Sequence, residues 1–315
     1  MERVFVAGSF NVDHVWRVAA LPPPGATLAG QYASGPGGKG FNQAIAARRA
    51  GAETAFVCAL GPDGGARMAR ELAAADGLVL HAQPSDAPTG TAGIFVDAEG
   101  RNCIVIGAGA NAALEPGFIA SALAGLGAGD VLLAQLESPL PAVAAALEAA
   151  RAAGATAILN PAPANVAIDR ALLDRAEVLT PNETEFAALL GRHVGERIDA
   201  EAVAGLDQAR LHALCRDLLP DGSVVVTLGA SGCFVSHPEA RQRGDAAGHY
   251  RIGAEPAQVV DTTGAGDAFN GALAASLALR PELAFGEHVR FANRYAARST
   301  EHAGAALAMP HLPAA

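Results

Sequence analysis

Apolar runs of strand length alternate with Ala- and Leu-rich stretches of helix length along nearly the whole chain. Val4–Gly8, Thr54–Leu60, Val131–Gln135, Thr156–Leu159, Glu177–Thr180, Ser223–Leu228 and Gly232–Ser236 read as strands. Ala44–Ala50, Gly64–Ala75, Pro139–Ala153, a segment through Leu190, Gln208–Leu219 and two stretches after Gly264 read as helices. Strands this apolar suit a sheet covered on both faces, and βαβα order joins parallel neighbours through crossover helices. The predicted fold is therefore α/β, with a mostly parallel central sheet in the middle of three α/β/α layers. Two segments do not fit that core. His14 to Ala33 alternates and is broken by Leu21-Pro22-Pro23-Pro24-Gly25, and Thr91–Asp97 with Asn102–Ile106 forms a hairpin around Ala98-Glu99-Gly100-Arg101. We assign residues of about 14–36 and 88–108 to a small β-sheet lid on a single domain spanning 1–315, since no repeat or long linker appears.

Composition narrows the function. With 51% hydrophobic and 17% charged residues, the chain buries a large core rather than staying disordered. A net charge of −10 argues against a nucleic-acid partner, and 5% aromatic residues leave few platforms for stacked bases. Cys58, Cys103, Cys215 and Cys233 lie far apart without metal-ligand spacing and are expected to be buried, reduced thiols. Met1-Glu2-Arg3 runs straight into the first strand, and no apolar stretch is long enough to span a bilayer. No leader and no membrane association are expected, and a cytoplasmic location follows from these readings.

The polar residues with chemical potential recur at one end of successive strands: Asn11 and Asp13, Glu137, Asn160, Asn182 and Glu185, Thr227 and Gly229, and Asp267. Core packing gives no reason for that recurrence, whereas ligands of open α/β sheets sit outside the carboxyl ends of the strands. Thr262 to Gly266 forms a turn before the small-residue run Ala268 to Ala278. Glycines at 264 and 266 let backbone approach a ligand, and amides at a helix start favour an anion. Asp267 is either an ordinary first-turn acid or a base beside an anion hole. Gly35 to Gln43 reads as a glycine-rich loop without the Walker A spacing, in which Lys39 is either a solvated cation or a ligand contact. Asn11 and Asp13, on one face by alternation, either cap a turn or bind hydroxyls.

Two runs carry a resemblance. Gly37-Gly38-Lys39-Gly40-Phe41-Asn42-Gln43-Ala44 resembles the first sugar-kinase signature of the ribokinase (PfkB) family, and Asp261-Thr262-Thr263-Gly264-Ala265-Gly266-Asp267 resembles the second. Gly107 to Ala113, Gln135-Leu136-Glu137-Ser138-Pro139, Asn160-Pro161-Ala162-Pro163 and Thr180-Pro181-Asn182-Glu183-Thr184-Glu185 resemble the same family in order and spacing, so the similarity covers the chain. It implies a ribokinase-like fold and ATP-dependent phosphorylation of the primary hydroxyl of a sugar, D-ribose first. Asp267 would be the base, with the turn Gly264, Ala265, Gly266 and Asp267 supplying the anion hole. Asn11, Asp13, Gly38, Lys39, Asn42 and Glu137 match sugar-holding positions. Asn182 and Glu185 match the N-x-x-E element that orders Mg2+ and phosphates. Thr227, Gly229, Gly232 and Gly266 match nucleotide contacts, and Asn293 lies where the family meets adenine. K+ would sit among Asp261, Thr263, Ser299, His302, Gly304 and Ala308, the last being a departure because a hydroxyl is often found there.

Phe41 is a second departure, since Ala is usual; its ring either narrows the sugar pocket or packs outward under the lid. Trp16 either covers substrate or plugs a contact between two lids, and the exposed edges of such a sheet suit a homodimer paired through the lid. His14, His81, His193, His212 and His237 are expected to form no cluster. Three other readings remain open. They are a kinase for another sugar or a nucleoside, a catalytically silent sugar- or nucleotide-binding regulator, and a dinucleotide oxidoreductase. The last lacks G-x-G-x-x-G after the first strand.

Overall fold

A computed structural model describes residues 3–312. Met1 and Glu2, which entered the reading of the N-terminus, lie outside the described residues. The chain opens with β1 (Arg3–Ala7), crosses into a second sheet as β2 (Asn11–Arg17) and β3 (Gln31–Gly37), and returns through α1 (Lys39–Arg49) to β4 (Glu53–Leu60). α2 (Gly64–Ala75) and β5 (Val79–Pro84) follow, and then β6 (Gly90–Val96) and β7 (Asn102–Gly107) rejoin the second sheet. Next come α3 (Pro116–Ala122), β8 (Val131–Ala134), α4 (Leu140–Ala153), β9 (Thr156–Leu159), α5 (Arg170–Leu173) and β10 (Val178–Leu179). α6 (Glu183–His193), α7 (Ala200–Val203) and α8 (Gln208–Leu218) lead to β11 (Ser223–Thr227), β12 (Cys233–Ser236) and β13 (His249–Ile252). α9 (Ala265–Leu279) and α10 (Phe285–Ser299) close the fold.

The large sheet has nine strands in the order β13-β12-β11-β10-β9-β8-β1-β4-β5. Its pairs are parallel from β11 to β5, and β12 and β13 are antiparallel additions at one edge. Strand alternation divides the core in two. Val4, Val6, Phe56, Cys58 and Val225 face the side covered by α1, α2, α9 and α10. Phe5, Ala7, Ala55, Val57, Val224 and Val226 face α4, α6 and α8 on the other side. Because both faces are covered, the strands can be apolar at every position, which is the three-layer α/β/α architecture expected.

The second sheet has four strands, β3-β2-β6-β7. It spans slightly more chain than expected: β2 already begins at Asn11, and the hairpin β6–β7 pairs Val96 with Asn102 around the expected turn. Asn11 and Asp13 therefore belong to the start of this sheet rather than to the end of the first strand, although they keep the shared face that alternation gives them.

Several local expectations are corrected. The stretch read as a loop up to Gln43 is strand to Gly37 and helix from Lys39. Gly38 makes the switch at φ 88°, in the left-handed region where a side chain is strained. Phe41 neither narrows a pocket nor packs outward; it is buried against Phe10 at 5.0 Å and Phe56 at 5.8 Å between ring centroids. Cys103 is exposed on β7, while the other three cysteines are buried. His212 and His237 each find a partner at the far end of β11–β13. His249 stacks on His212 at 4.3 Å, and buried His237 bridges Ser223 Oγ at 2.8 Å and Asp245 Oδ2 at 2.9 Å. Ser223 starts β11 and Thr227 ends it, so this sealed chain braces the end of the sheet remote from the polar cleft. No helix among the described residues is long and apolar enough to cross a membrane.

The contact between α1 and α9 is built for close approach. A Cβ on Gly271 would lie 2.4 Å from Gln43 O and 2.5 Å from Ala46 Cβ. Gly271→Ala is expected to push the helices apart and cost about 1–3 kcal/mol of stability. Urea unfolding of the variant measures that cost, and a midpoint unchanged from the parent would refute it.

Candidate active site

β1, β8, β9, β10 and β11 all end at one rim, and β1 and β8 are the neighbours at which the strand order reverses. A cleft opens there, lined by Lys39, Asn160, Thr180, Asn182, Glu185, Thr227, Thr262, Gly264, Ala265, Gly266 and Asp267. A crevice outside the carboxyl ends of parallel strands at such a switch is the expected ligand site of an open α/β sheet.

Asp267 occupies the first turn of α9, and its side chain is buried. Consecutive residues of α1 hold its two oxygens: Asn42 Nδ2 donates to Oδ2 at 2.9 Å, and Gln43 Nε2 donates to Oδ1 at 2.9 Å. Burial raises the pKa of Asp267, outweighing the Lys39 ammonium and the two amide donors. Burial works against the Lys39 charge as well, but the carboxylates of Asp267, Glu137 and Glu185 prevail and its pKa is raised. A buried acid that accepts protons more readily than usual, beside an ammonium held charged, is an arrangement suited to taking a proton near an anion.

The turn before Asp267 is shaped by Gly264, at φ 75°, where a Cβ would also lie 2.9 Å from that of Ala305. Ala265 donates its amide to Thr262 O at 3.2 Å. The Gly266 and Asp267 amides lie in the first helical turn, which has no intrahelical acceptors to offer. Gly266 is open: nothing stands within 4 Å of the place its Cβ would take. The expected anion hole thus has two first-turn amides and the positive end of a helix of 15 residues behind them.

On the other wall, Glu137 Oε2 accepts from Ser9 Oγ at 2.6 Å and from the Lys39 amide at 3.0 Å. Asn111 fixes Asn11 by donating to its Oδ1 at 2.8 Å while pairing with both backbone groups of Phe10. Asp13 packs over Gly37, where a Cβ would lie 2.2 Å from either carboxylate oxygen. Its pKa is raised to about 6 by burial, and further by the Glu137 and Asp267 carboxylates nearby. Asn42 Oδ1 is buried without a donor among the described residues. Its amide nitrogen is the atom turned to Asp267, so the unpaired oxygen is the free end of the same amide.

Along the cleft, Asn182 and Glu185 form a reciprocal capping box at the start of α6, with both bonds at 2.9 Å. Glu185 is buried rather than a surface helix acid, and burial raises its pKa despite the Asn182 amide and Lys39. Thr227 borders the same cleft, and Gly229 and Gly232 turn the chain beyond it at φ 48° and 82°. A Cβ on Gly232 would strike Ile252 O at 2.0 Å. Asn293 does not border this cleft; it is half-buried and donates to Gly253 O at 2.7 Å, next to the Gly232 turn.

Asp261 joins two of the segments read as cation-holding. Its Oδ1 accepts from the Thr263 amide and hydroxyl at 2.9 and 2.6 Å, and its Oδ2 accepts from the Gly304 amide at 3.0 Å. These bonds outweigh partial burial and lower its pKa. Ser299 ends α10, and Thr300 O binds the amides of Val260 and Asp261, so the segment after α10 is stitched to the turn before α9. The donors on offer are oxygens, which suits an alkali cation. Among the described residues no group of three or more His, Cys, Asp or Glu is able to hold a metal. His302 and Ala308 border a separate cavity with Arg298 and Met309.

Sequence reading missed several members of the network. Gln43 was visible only as part of the first glycine-rich run, and Ser9, Asn111 and Asn270 had no signal of their own. Gln43 meets Asp267, Ser9 meets Glu137, Asn111 meets Phe10 and Asn270 meets Thr180 across 90 to 224 residues of chain, so spacing carries no trace of these pairs.

Comparison with known proteins identifies the family. The pfkB family carbohydrate kinase profile matches residues 1–312. A ribokinase from Haemophilus influenzae is 37% identical over 308 residues, covering 97% of this chain and 94% of that protein. A bifunctional ribokinase/ribose-5-phosphate isomerase A from Fructilactobacillus sanfranciscensis is 38% identical over 88% of the chain, which spans 49% of that longer protein. The structure of Arabidopsis thaliana ribokinase complexed with ribose and ATP superposes with a TM-score of 0.78 at 28% identity, covering 98% of this chain and 96% of that one. A full-length family match and the polar cleft at the sheet's switch point lead to one assignment: the chain belongs to the pfkB family of carbohydrate kinases.

Proposed function

We propose that this chain is an ATP-dependent kinase that phosphorylates the primary hydroxyl of D-ribose to give D-ribose 5-phosphate. The observation that carries the reading is Asp267: a buried carboxylate of raised pKa at a helix start, held by two amide donors beside open backbone amides. In this reading Asp267 takes the hydroxyl proton as that oxygen attacks the γ-phosphorus. The Gly266 and Asp267 amides stabilise charge growing on the transferred group. Asn11, Asp13, Gly38, Lys39, Asn42 and Glu137 hold the remaining hydroxyls.

Asn182 and Glu185 are the residues we assign to magnesium, through water, and Thr227, Gly229, Gly232 and Asn293 to the nucleotide. Bound magnesium would neutralise phosphate charge. Asp261 with the Thr263, Ser299, His302, Gly304 and Ala308 positions is the assigned potassium region, which would stiffen the anion-hole turn. The four-stranded sheet is assigned as a lid over the sugar, since Asn11 and Asp13 lie on it. Its outer strand β7, with Ile104 and Val105 at 50% and 66% exposure, suits pairing with a second copy. A cytoplasmic enzyme supplied with ATP completes the reading. Burial of Phe10 and Phe41 in the core removes two of the rings that a nucleoside kinase would use as a base shelf.

Three outcomes test it. Asp267→Asn is expected to keep sugar binding and lose turnover by about 100- to 10,000-fold; near-parental turnover in a coupled ADP assay on D-ribose would remove the base. Because the Asp13 pKa is about 6, its accepting form is lost as pH falls below that value, and the KM for ribose should rise there. Asp13→Asn should flatten this dependence while leaving the KM for ATP within about threefold. Replacing potassium with tetramethylammonium should lower activity, and indifference to the exchange would dismiss the cation region.

A further inference from the structure

The Asp267 carboxylate ends a chain of buried amides that the proposed mechanism does not use. Asn160 Nδ2 donates to Thr180 O at 3.0 Å, and a carbonyl only accepts, so the Asn160 amide has one orientation. Its Oδ1 therefore faces Gln43 Nε2 at 3.0 Å, which in turn fixes the Gln43 amide. The second hydrogen on Gln43 Nε2 points to Asp267 Oδ1 at 2.9 Å, and Gln43 Oε1 accepts from Gln135 Nε2 at 2.5 Å. Gln43 thus meets an acceptor, an acceptor and a donor, and reversing its amide would break all three contacts.

Gln135 Oε1 is left buried without a donor among the described residues. An unpaired buried carbonyl is destabilising. That cost sits at the far end of the chain while the end at Asp267 is complete. Gln43 and Gln135 are both fully buried, and Gly8 leaves space for Gln135, since a Cβ there would lie 2.2 Å from Gln135 Oε1. Three strand ends (β8 through Gln135, β9 through Asn160, β10 through Thr180) therefore act on one oxygen of the carboxylate through a single side chain of α1.

We propose that Gln43 is a positioning residue for phosphoryl transfer: its locked amide keeps Asp267 Oδ1 an acceptor and turns the carboxylate toward the sugar hydroxyl. This rests on Asp267 acting as the base. Gln43 touches neither sugar nor nucleotide in this assignment; it acts through Asp267. The charged groups around that carboxylate are Lys39 of α1, Asp13 of β2, and Glu137 and Glu185 from the ends of β8 and β10. They remain in place when Gln43 is changed. Loss of the amide removes a donor from the ionised form, so the pH at which Asp267 loses its proton must rise.

Gln43→Leu, close in size and without a donor, is expected to lower kcat about 10- to 100-fold while the KM for ATP stays within about threefold. The acidic limb of kcat against pH should move to higher pH. Gln135→Leu, one amide further away, should move that limb the same way by a smaller amount, and it serves if Gln43→Leu does not fold. A purely structural role for Gln43 would lower the melting temperature and leave kcat and the limb of the folded enzyme unchanged, and that result overturns the proposal. Combining Gln43→Leu with Asp267→Asn should cost no more turnover than Asp267→Asn alone; additive losses also overturn it. Should Asp267→Asn by itself retain turnover, the base assignment fails first and is recognised separately.

Discussion

The site depends on one buried carboxylate reaching across the contact between two helices. Asp267 starts α9, and both its oxygens are held from α1, by Asn42 and Gln43. That reach is possible because Gly271 lets the helix backbones approach until Gln43 O fills the place of a Cβ. It is maintained because Phe41, between the two donors' side of α1 and the core, is pinned by Phe10 and Phe56. A charge in a fully buried position is tolerated only with such partners. Packing on the apolar side of α1 and electrostatics on its polar side are therefore one design: moving either helix by an ångström would unpair the acid.

The electrostatic setting follows from the same geometry. Asp267, Glu137 and Glu185 crowd around a single ammonium, Lys39, which they hold charged, and Asp13 lies close to Glu137 and Asp267. Burial lifts Asp13, Glu185 and Asp267 above their ordinary range. Open amides at the start of α9 supply positive potential without adding another titrating group. Proton affinity and anion affinity thus stand next to each other in a cleft whose net side-chain charge is negative.

Much of this was legible in the chain. Thr156–Leu159 matches its strand to the residue, and the hairpin around residues 98–101 forms as read, because period and turn chemistry are local properties. The polar residues at strand ends were visible for the same reason. The start of α1 was not: glycines at 37, 38 and 40 look like a loop until Ser9 and Gly8 are seen packed against Gly40. Cys103 looks like a buried thiol because β7 is apolar in composition, yet its strand is the outer edge of a sheet with only four strands. His212 and His249 look unrelated in the chain, yet they stack because α8 packs over the antiparallel edge that carries His249.

The sequence by itself determined the layer architecture and the two glycine-rich runs, since both are written in residues that are neighbours along the chain or repeat with a fixed period. Only the tertiary structure decided which way Phe41 points, which sheet carries Asn11 and Asp13, and which amides hold Asp267. Those outcomes rest on contacts between segments as many as 225 residues apart, where a difference of one ångström in backbone approach selects the partner.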